Sequence, residues 1–221
     1  MSSALLQLTA LLTMAIDHAG YRLFPGTELM RMIGRVSFPL FVFMLTEGFA
    51  RTSDRGKYLS RLAAFALLSE IPYKLFTSGG RWMESLIRDP MSNVFFELLL
   101  IFTALWGIKL AAERGWPFYG ITALSVVLAE AFGTMYGIYG VLMGIFFCVF
   151  RDRRWLCAVS LIVLTGLYCW QHGSMFQIYA VFAAVPIFLY NGRRGRRLPR
   201  YFSYIFYPAH LLLIYGIYCL I

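Results

Sequence analysis

The feature that most constrains this chain is a succession of nine long apolar runs with little sequence between them. A helix needs about 20 apolar residues to cross the hydrocarbon core of a bilayer. The runs are too long and too uniformly apolar for the alternating strands of a membrane barrel. We therefore predict an all-α, polytopic integral membrane protein with about nine transmembrane helices. The expected spans are 4–24, 29–50, 58–76, 93–111, 117–134, 136–151, 154–171, 175–191 and 201–221, of which 117–134 and 136–151 are short enough to be tilted or partly re-entrant.

The composition excludes the soluble classes of protein. Hydrophobic residues make up 60% of the 221 residues and charged residues only 14%, whereas about 25% of the residues in a soluble domain are charged. A soluble fold of this size cannot hide so much apolar surface. No internal repeat or separate polar domain interrupts residues 1–221, so we predict a single transmembrane domain and exclude a disordered chain.

The basic residues alternate between the two sets of connections. Of the 20 Lys and Arg residues, 14 fall in the connections at 51–61, 109–114, 151–154 and 193–200, while the other set holds five and Arg35 lies inside a span. Loops rich in Lys and Arg stay in the cytoplasm. We predict a cytoplasmic N-terminus and an external C-terminus. Because this rule accounts for most of the net charge of +9, no nucleic-acid partner is expected.

Five ionisable residues inside the spans are predicted to share one depth. Counted at 1.5 Å per helical residue, all five lie roughly 6–11 Å below the outer surface. Each costs about 2.5–3.5 kcal/mol on insertion scales, so residues of this kind usually have a function. We expect a polar cluster in the outer third of the bilayer, made by Asp17, Arg35, Glu70, Glu97 and Glu130.

The first span carries the dipeptide Asp17-His18. Neighbouring helical residues point about 100° apart, so Asp17 cannot hold the ring of His18. We expect Asp17 to pair with Arg35, which leaves His18 free to act as a general base near neutral pH. A hydrogen bond from His18 to another helix is the alternative.

Two motifs combine a span with proline. In GRVSFPLF, Pro39 is expected to kink the second span and free a carbonyl that Ser37 patches; Ser37 as a nucleophile is the weaker alternative. In SEIPY, Glu70 carries a proton, binds a substrate amine or simply pairs with an arginine. No metal-ligand pattern is present in the sequence.

The remaining histidines and Glu47 have simpler interpretations. His210 lies about nine residues from the cytoplasmic end of the last span, deeper than the outer cluster, where it contacts a reagent from the cytoplasm or bonds to another helix. His172 is expected to be solvated. Glu47 is expected to form an i, i+4 ion pair with Arg51.

Seven blocks together resemble the TraX family of bacterial membrane proteins. In chain order they are LTMAIDHAG, RMIGRVSFPLFVFMLTEGFARTSDRGKYLSRL, ALLSEIPYKL, NVFFELLL, YGIYGVL, PIFLYNGRRG and YFSYIFYPAHLLLIYGI. TraX proteins acetylate the N-terminus of conjugative pilin. They are similar to a wider superfamily of acyltransferases that take an acyl group from cytoplasmic acyl-CoA, and His18 matches the histidine proposed to be catalytic in that superfamily.

The resemblance implies an acyltransferase of the bacterial inner membrane that uses acetyl-CoA as donor and an envelope acceptor such as a pilin or a glycan. The expected catalytic residues are His18, Asp17 and Arg35, with Arg35 orienting Asp17 or stabilising the oxyanion. The expected acceptor-binding residues are Glu70, Asn93, Glu97 and Tyr73. The expected coenzyme A-binding residues are Arg51, Arg55, Arg193, Arg194, Arg197 and His210.

This hypothesis predicts a channel from the basic side to the polar cluster. Two other functions stay open. Membrane carboxylates and histidines also build proton relays in small transporters, although the two related halves of many transporters are not visible here. A non-catalytic assembly factor for the envelope would tolerate loss of His18.

Overall fold

The computed structural model describes residues 1–195, 199 and 201–221, and over these residues the chain is helical without a β-strand. Short 3₁₀ helices cover Gly79–Arg81, Trp116–Phe118 and Met175–Ala183. The α-helices are α1 (Ser3–Arg22), α2 (Glu28–Gly34), α3 (Ser37–Arg51), α4 (Arg55–Ser78), α5 (Trp82–Arg88), α6 (Val94–Arg114), α7 (Tyr119–Ala131), α8 (Gly137–Val149), α9 (Arg154–His172), α10 (Ala184–Phe188) and α11 (Phe202–Leu220).

Every predicted span contains helix, and the all-helical class is confirmed. Four helices in the described part of the chain are long and apolar enough to cross a bilayer: Glu28–Arg51, Val94–Arg114, Arg154–His172 and Phe202–Leu220. Three further apolar helices are shorter, at Trp116–Ala131, Gly137–Val149 and Met175–Phe188. Nine full spans and a cytoplasmic N-terminus stay predictions.

Polar side chains fix where three of the helices begin. Ser2 accepts a hydrogen bond from the backbone N–H of Leu5 at the start of α1, and Asn93 accepts one from Phe95 at the start of α6. Asp54 accepts the N–H of Lys57 at 2.9 Å at the start of α4. That backbone bond, with the Lys57 ammonium, lowers the pKa of the Asp54 carboxyl. These residues satisfy amides that have no partner within the helix.

The second predicted span is broken, but before Pro39 rather than at it. The helix α2 ends at Gly34, and α3 begins at Ser37, so Pro39 lies in the first turn of α3. Pro39 lacks the N–H that would bond to the carbonyl of Arg35, four residues earlier. The interruption at residues 35 and 36 therefore agrees with the expected disturbance of this span by Pro39. Ser37 donates to the carbonyl of Ala10 in α1 at 3.0 Å and so links two helices instead of patching its own.

The core lies where α1, α3, α6 and α8 meet, and side chains such as Leu6, Leu40, Phe43 and Phe102 are fully buried there. The outward faces carry large apolar side chains that no other helix covers, among them Leu67, Trp170 and Leu213. Hydrocarbon, not water, is the solvent that suits such faces.

The N-terminus and several basic connections gather at one end of the molecule. The Ser3 N–H donates to the carbonyl of Arg193 at 2.9 Å, and the Arg51 guanidinium donates to the carbonyl of Gly192 at 3.2 Å. The Arg154 guanidinium lies 5.0 Å from the centre of the Tyr190 ring. We call this end the basic end. The predicted alternation of basic connections requires them to lie at the same end of the molecule as the N-terminus. That this end faces the cytoplasm stays a prediction.

Candidate active site

Far from the basic end, a cavity of about 240 Å³ lies among α1, α2, α3, α4 and α11. Its lining includes His18 and Tyr73 together with three charged side chains, Asp17, Arg31 and Arg35. We call it the histidine cavity. Two of the five residues predicted to share one depth, Asp17 and Arg35, therefore meet here.

The charged side chains of this cavity form one ion cluster. The Arg35 Nη2 atom lies 2.9 Å from both oxygens of Asp17, and Arg31 Nη1 lies 3.3 Å from Asp17 Oδ2. The predicted pairing of Asp17 with Arg35 is confirmed. One carboxylate faces two guanidinium groups, so the cluster has an excess positive charge. An excess of this sign stabilises negative charge that develops nearby.

A glycine brings α2 close enough for this pairing. A Cβ atom at Gly34 would overlap the carboxylate of Asp17. Because glycine has no side chain, α2 packs directly on α1, and Arg31 and Arg35 reach Asp17 from one side. The local sequence RMIGR thus supplies both the arginines and the gap between them.

His18 forms a pair with His210 of α11. His18 Nδ1 lies 2.6 Å from His210 Nε2, and the two rings are 14° from parallel with centres 4.9 Å apart. The bonded nitrogens therefore lie between the ring centres, which is the geometry of a hydrogen bond in the ring plane. His210 Nδ1 is in turn 2.7 Å from the carbonyl oxygen of Phe206.

This chain of contacts determines which nitrogens carry protons in the neutral pair. A carbonyl oxygen only accepts, so His210 Nδ1 must donate to Phe206, and His210 Nε2 is left as an acceptor. His18 Nδ1 then donates to His210 Nε2. The remaining nitrogen, His18 Nε2, holds a lone pair and makes no hydrogen bond with the described residues. It is the nitrogen available to take a proton.

The prediction that His210 lies deeper than the outer cluster is wrong. Ser203, in the first turn of α11, already bonds to Gln7, which lies a turn inside α1. The first turn of α11 is therefore level with Gln7 and not with the start of α1. A residue count that begins at the basic end thus underestimates the distance of His210 from that end. His210 therefore contacts His18, the residue expected to be the base, and its predicted contact with coenzyme A stays a prediction.

Glu70 and Asn93 belong to a separate cluster. Asn93 Nδ2 donates to Glu70 Oε2 at 2.5 Å and to the carbonyl of Ala66 at 2.8 Å. Lys74 Nζ lies 3.8 Å from the other Glu70 oxygen. These contacts join α4 to the start of α6, and neither Glu70 nor Asn93 lines the histidine cavity. Tyr73 does line it, so among the expected acceptor-binding residues only Tyr73 is in place.

Glu97 and Glu130 also lie apart from the histidine cavity. Glu97 Oε2 accepts from the Thr134 hydroxyl at 2.5 Å and from the backbone N–H of Tyr136 and of Gly137, each at 3.2 Å. It therefore caps the start of α8. Glu130 lines another cavity, with Tyr168 and His172. The predicted meeting of five ionisable groups at one point is thus wrong for three of them, because shared depth does not determine the side of the bundle on which a residue lies.

Two further cavities lie in sequence between the histidine cavity and the basic end. A cavity of about 140 Å³, the middle cavity, shares Met14, Phe41, Val94 and Tyr207 with the histidine cavity. A cavity of about 300 Å³, the mouth cavity, shares Gln7, Met44 and Tyr58 with the middle cavity. The middle cavity is mainly apolar, and the mouth cavity is lined by Arg51, Arg194, Glu47 and Tyr190.

The arginines expected to bind coenzyme A are thus only partly in position. Arg51 and Arg194 line the mouth cavity, and Arg193 precedes Arg194 in the same loop. Arg51 also makes the predicted ion pair with Glu47 at 2.5 Å. Arg55 is instead stacked on Phe49, 5.2 Å from the ring centre, and does not line the mouth cavity. Arg197 lies outside the described residues.

Two residues of the site were missed in the sequence. Arg31 was counted as a loop residue, although its i, i+4 spacing from Arg35 is the signal that both reach one partner. Tyr207 precedes His210 by three residues, which puts both on one helix face, yet tyrosine is so frequent in this chain that nothing else marked it.

Fold and cavities together define a helical, membrane-type protein in which a partly buried His, Asp and Arg site is linked to a basic end by cavities that share lining residues. The chain belongs to the TraX family, because the family model described as TraX protein matches residues 2–218. It is 27% identical to the probable fimbrial assembly protein FimC, serogroup H1, of Dichelobacter nodosus, over 95% of this chain and 92% of that protein. It is 24% identical to Protein TraX of Escherichia coli, over 95% of this chain and 84% of that protein. No solved structure matches the chain.

Proposed function

We propose that this protein is an acetyltransferase of the bacterial inner membrane that takes acetyl groups from acetyl-CoA at its basic end. The acceptor is an amine that reaches the histidine cavity from the other end, namely the N-terminus of a pilin. The observation that carries this proposal is the series of three cavities that share lining residues from Arg51 and Arg194 to His18.

The properties of the three cavities suit the parts of acetyl-CoA. Guanidinium groups bind phosphates well, which makes the mouth cavity suitable for the nucleotide end. The apolar middle cavity suits the uncharged pantetheine arm. Ser3 and His18 are 15 residues apart in α1, so the path is about 22 Å long. The thioester then meets the base in the histidine cavity.

The histidine cavity has the groups that acyl transfer requires. His18 Nε2 takes the proton of the attacking amine, and His210 keeps His18 in the required tautomer. Asp17 holds Arg31 and Arg35 beside the cavity, and their excess positive charge favours the tetrahedral oxyanion.

The charge of the cavity also favours an N-terminal amine over a lysine as acceptor. Only a neutral amine attacks a thioester, and two arginines against one aspartate disfavour a cation. An α-amino group has a pKa of about 7.7–8.0, whereas that of lysine is about 10.4. A larger share of N-terminal amines is therefore neutral near pH 7. The names of the two relatives, a fimbrial assembly protein and a TraX protein, support a pilin as the acceptor.

Binding and transfer are tested on the purified protein in detergent. We expect acetyl-CoA to raise the melting temperature of the wild type, because a ligand at 100 times its Kd adds about 2.7 kcal/mol to stability. Transfer is measured with labelled acetyl-CoA and a peptide that has a free N-terminus, against the same peptide with a formylated N-terminus and one lysine. Only the first peptide should be acetylated.

Two histidine variants separate the catalytic role from general damage. His18→Ala should still be stabilised by acetyl-CoA but should lose transfer by about 10²–10⁴-fold. His172→Ala is the matched control, since His172 is exposed and its hydrogen bond within the described part of the chain is to the Tyr168 carbonyl; it should keep the wild-type rate. If no concentration of acetyl-CoA stabilises the wild type, the enzyme proposal fails and an assembly factor becomes the better interpretation.

A further inference from the structure

Tyr207 occupies the junction between the middle cavity and the histidine cavity, and its side chain lines both. It is 3% exposed, and its ring stands edge-on to that of His18 with centres 6.2 Å apart. Any group that passes from the basic end to His18 must therefore pass Tyr207.

The hydroxyl of Tyr207 is buried and makes no hydrogen bond with the described residues. Seven buried side-chain nitrogen or oxygen atoms in that part of the chain share this state, and Tyr207 is the one among them whose residue lines the path. Buried polar groups in proteins are nearly always paired, so an unpaired one needs an explanation.

The missing partner must be an acceptor. The backbone N–H of Val94 interacts with the Tyr207 oxygen but is not counted as its hydrogen-bond partner. As a donor, that N–H competes only for an oxygen lone pair and leaves the hydroxyl proton available. No acceptor among the described residues forms a hydrogen bond with this hydroxyl, so a carbonyl oxygen brought by a ligand fits the position.

We propose that the Tyr207 hydroxyl donates a hydrogen bond to the carbonyl oxygen of the donor thioester and stabilises the oxyanion formed from it. This inference rests on the proposed acetyl transfer and adds a catalytic residue to it. In this mechanism Tyr207 donates a direct hydrogen bond to the oxyanion, and the positive charge of Arg31 and Arg35 stabilises the oxyanion from a longer distance.

The electron pairs of the step balance. The acceptor nitrogen forms a bond to the carbonyl carbon, and the π pair moves to the oxygen that Tyr207 contacts. His18 Nε2 takes a proton from the nitrogen. Collapse of the intermediate breaks the carbon–sulfur bond, the sulfur leaves with that electron pair, and His18 returns the proton to it as coenzyme A departs.

The variant Tyr207→Phe removes only the hydroxyl oxygen and keeps the ring. We expect kcat to fall about 10²-fold, the loss typical of one oxyanion donor, with little change in KM. The melting temperature without ligand should stay equal or rise, because an unpaired buried hydroxyl is lost.

Tyr139→Phe is the matched control. The Tyr139 hydroxyl is also buried but is bonded to Thr165 at 2.9 Å, away from the path. This variant should melt at a lower temperature and keep its kcat. The opposite pattern in the two variants separates a catalytic hydroxyl from a structural one.

A spectroscopic measurement tests the contact without turnover. In a non-cleavable ketone analogue of acetyl-CoA, with CH₂ in place of the thioester sulfur, the infrared carbonyl stretch should be lower in the wild type than in Tyr207→Phe. An equal frequency in both proteins, or a kcat of Tyr207→Phe within about twofold of the wild type, overturns the role of Tyr207 while acetyl transfer stands. A wild type that neither binds nor transfers acetyl-CoA overturns both.

Discussion

Among single residues, the sequence predicted contacts along neighbouring helices better than contacts between distant ones. The pairing of Asp17 with Arg35 was predictable, because two opposite charges at similar depth in consecutive spans reduce each other's burial cost. The pairing of His18 with His210 was not. It depends on the first turn of α11 lying level with Gln7 of α1, and the hydropathy pattern does not predict that position.

The histidine pair predicts a specific tautomer for His18. We expect ¹⁵N NMR of histidine-labelled protein to report His18 protonated at Nδ1 and unprotonated at Nε2. His210→Gln should keep this state, since the amide oxygen of glutamine can accept from Nδ1, and His210→Leu should lose it. Transfer should fall further in the leucine variant than in the glutamine variant. A wild-type His18 protonated at Nε2 contradicts the assigned hydrogen-bond direction.

Among helices, positions were more predictable than the residues at which a helix is interrupted. The boundaries of α4 and α6 follow from polar caps, Asp54 and Asn93, beside long apolar runs. The break after Gly34 has only an approximate signal, Pro39, which lies one turn beyond it. Glu97 shows the same limit, since its position in the span suggested chemistry while its partners make it a cap for α8.

The approach of α2 to α1 predicts a large effect of one methyl group. Gly34→Ala introduces a Cβ atom against the carboxylate of Asp17 and should destabilise the protein by about 1–3 kcal/mol, as overpacking does. Gly166→Ala is the comparison, because a Cβ there meets no atom within 4 Å in the middle of α9. It should be neutral or stabilising by up to about 1 kcal/mol. Melting curves in detergent measure both, and equal melting temperatures would contradict the close packing.

In the whole molecule, charge alternation correctly anticipated that the N-terminus and the loops at Arg51, Arg154 and Arg193 lie at one end. The path of cavities was anticipated only as a requirement of the chemistry. Its lining could not be derived, because the four residues shared by the middle and histidine cavities come from four helices, α1, α3, α6 and α11.

The predicted topology has a direct test in reporter fusions. With nine spans and a cytoplasmic N-terminus, a fusion after Arg114 or Arg153 should give fluorescent green fluorescent protein and inactive alkaline phosphatase. A fusion after Gly173 or Ile221 should give the reverse. An even number of spans would put the N-terminus and the fusion after Ile221 on the same side, which contradicts the assignment.

A route that runs most of the way through a membrane protein exposes the cell to leakage of ions. Here the smallest of the three cavities is the middle cavity, about 140 Å³ in volume, and its mainly apolar lining includes Met14, Phe41, Leu45 and Leu62. Narrow apolar constrictions exclude water chains and so block the passage of protons. On the proposed route, the apolar middle cavity would therefore be the segment that holds back protons while the site is idle.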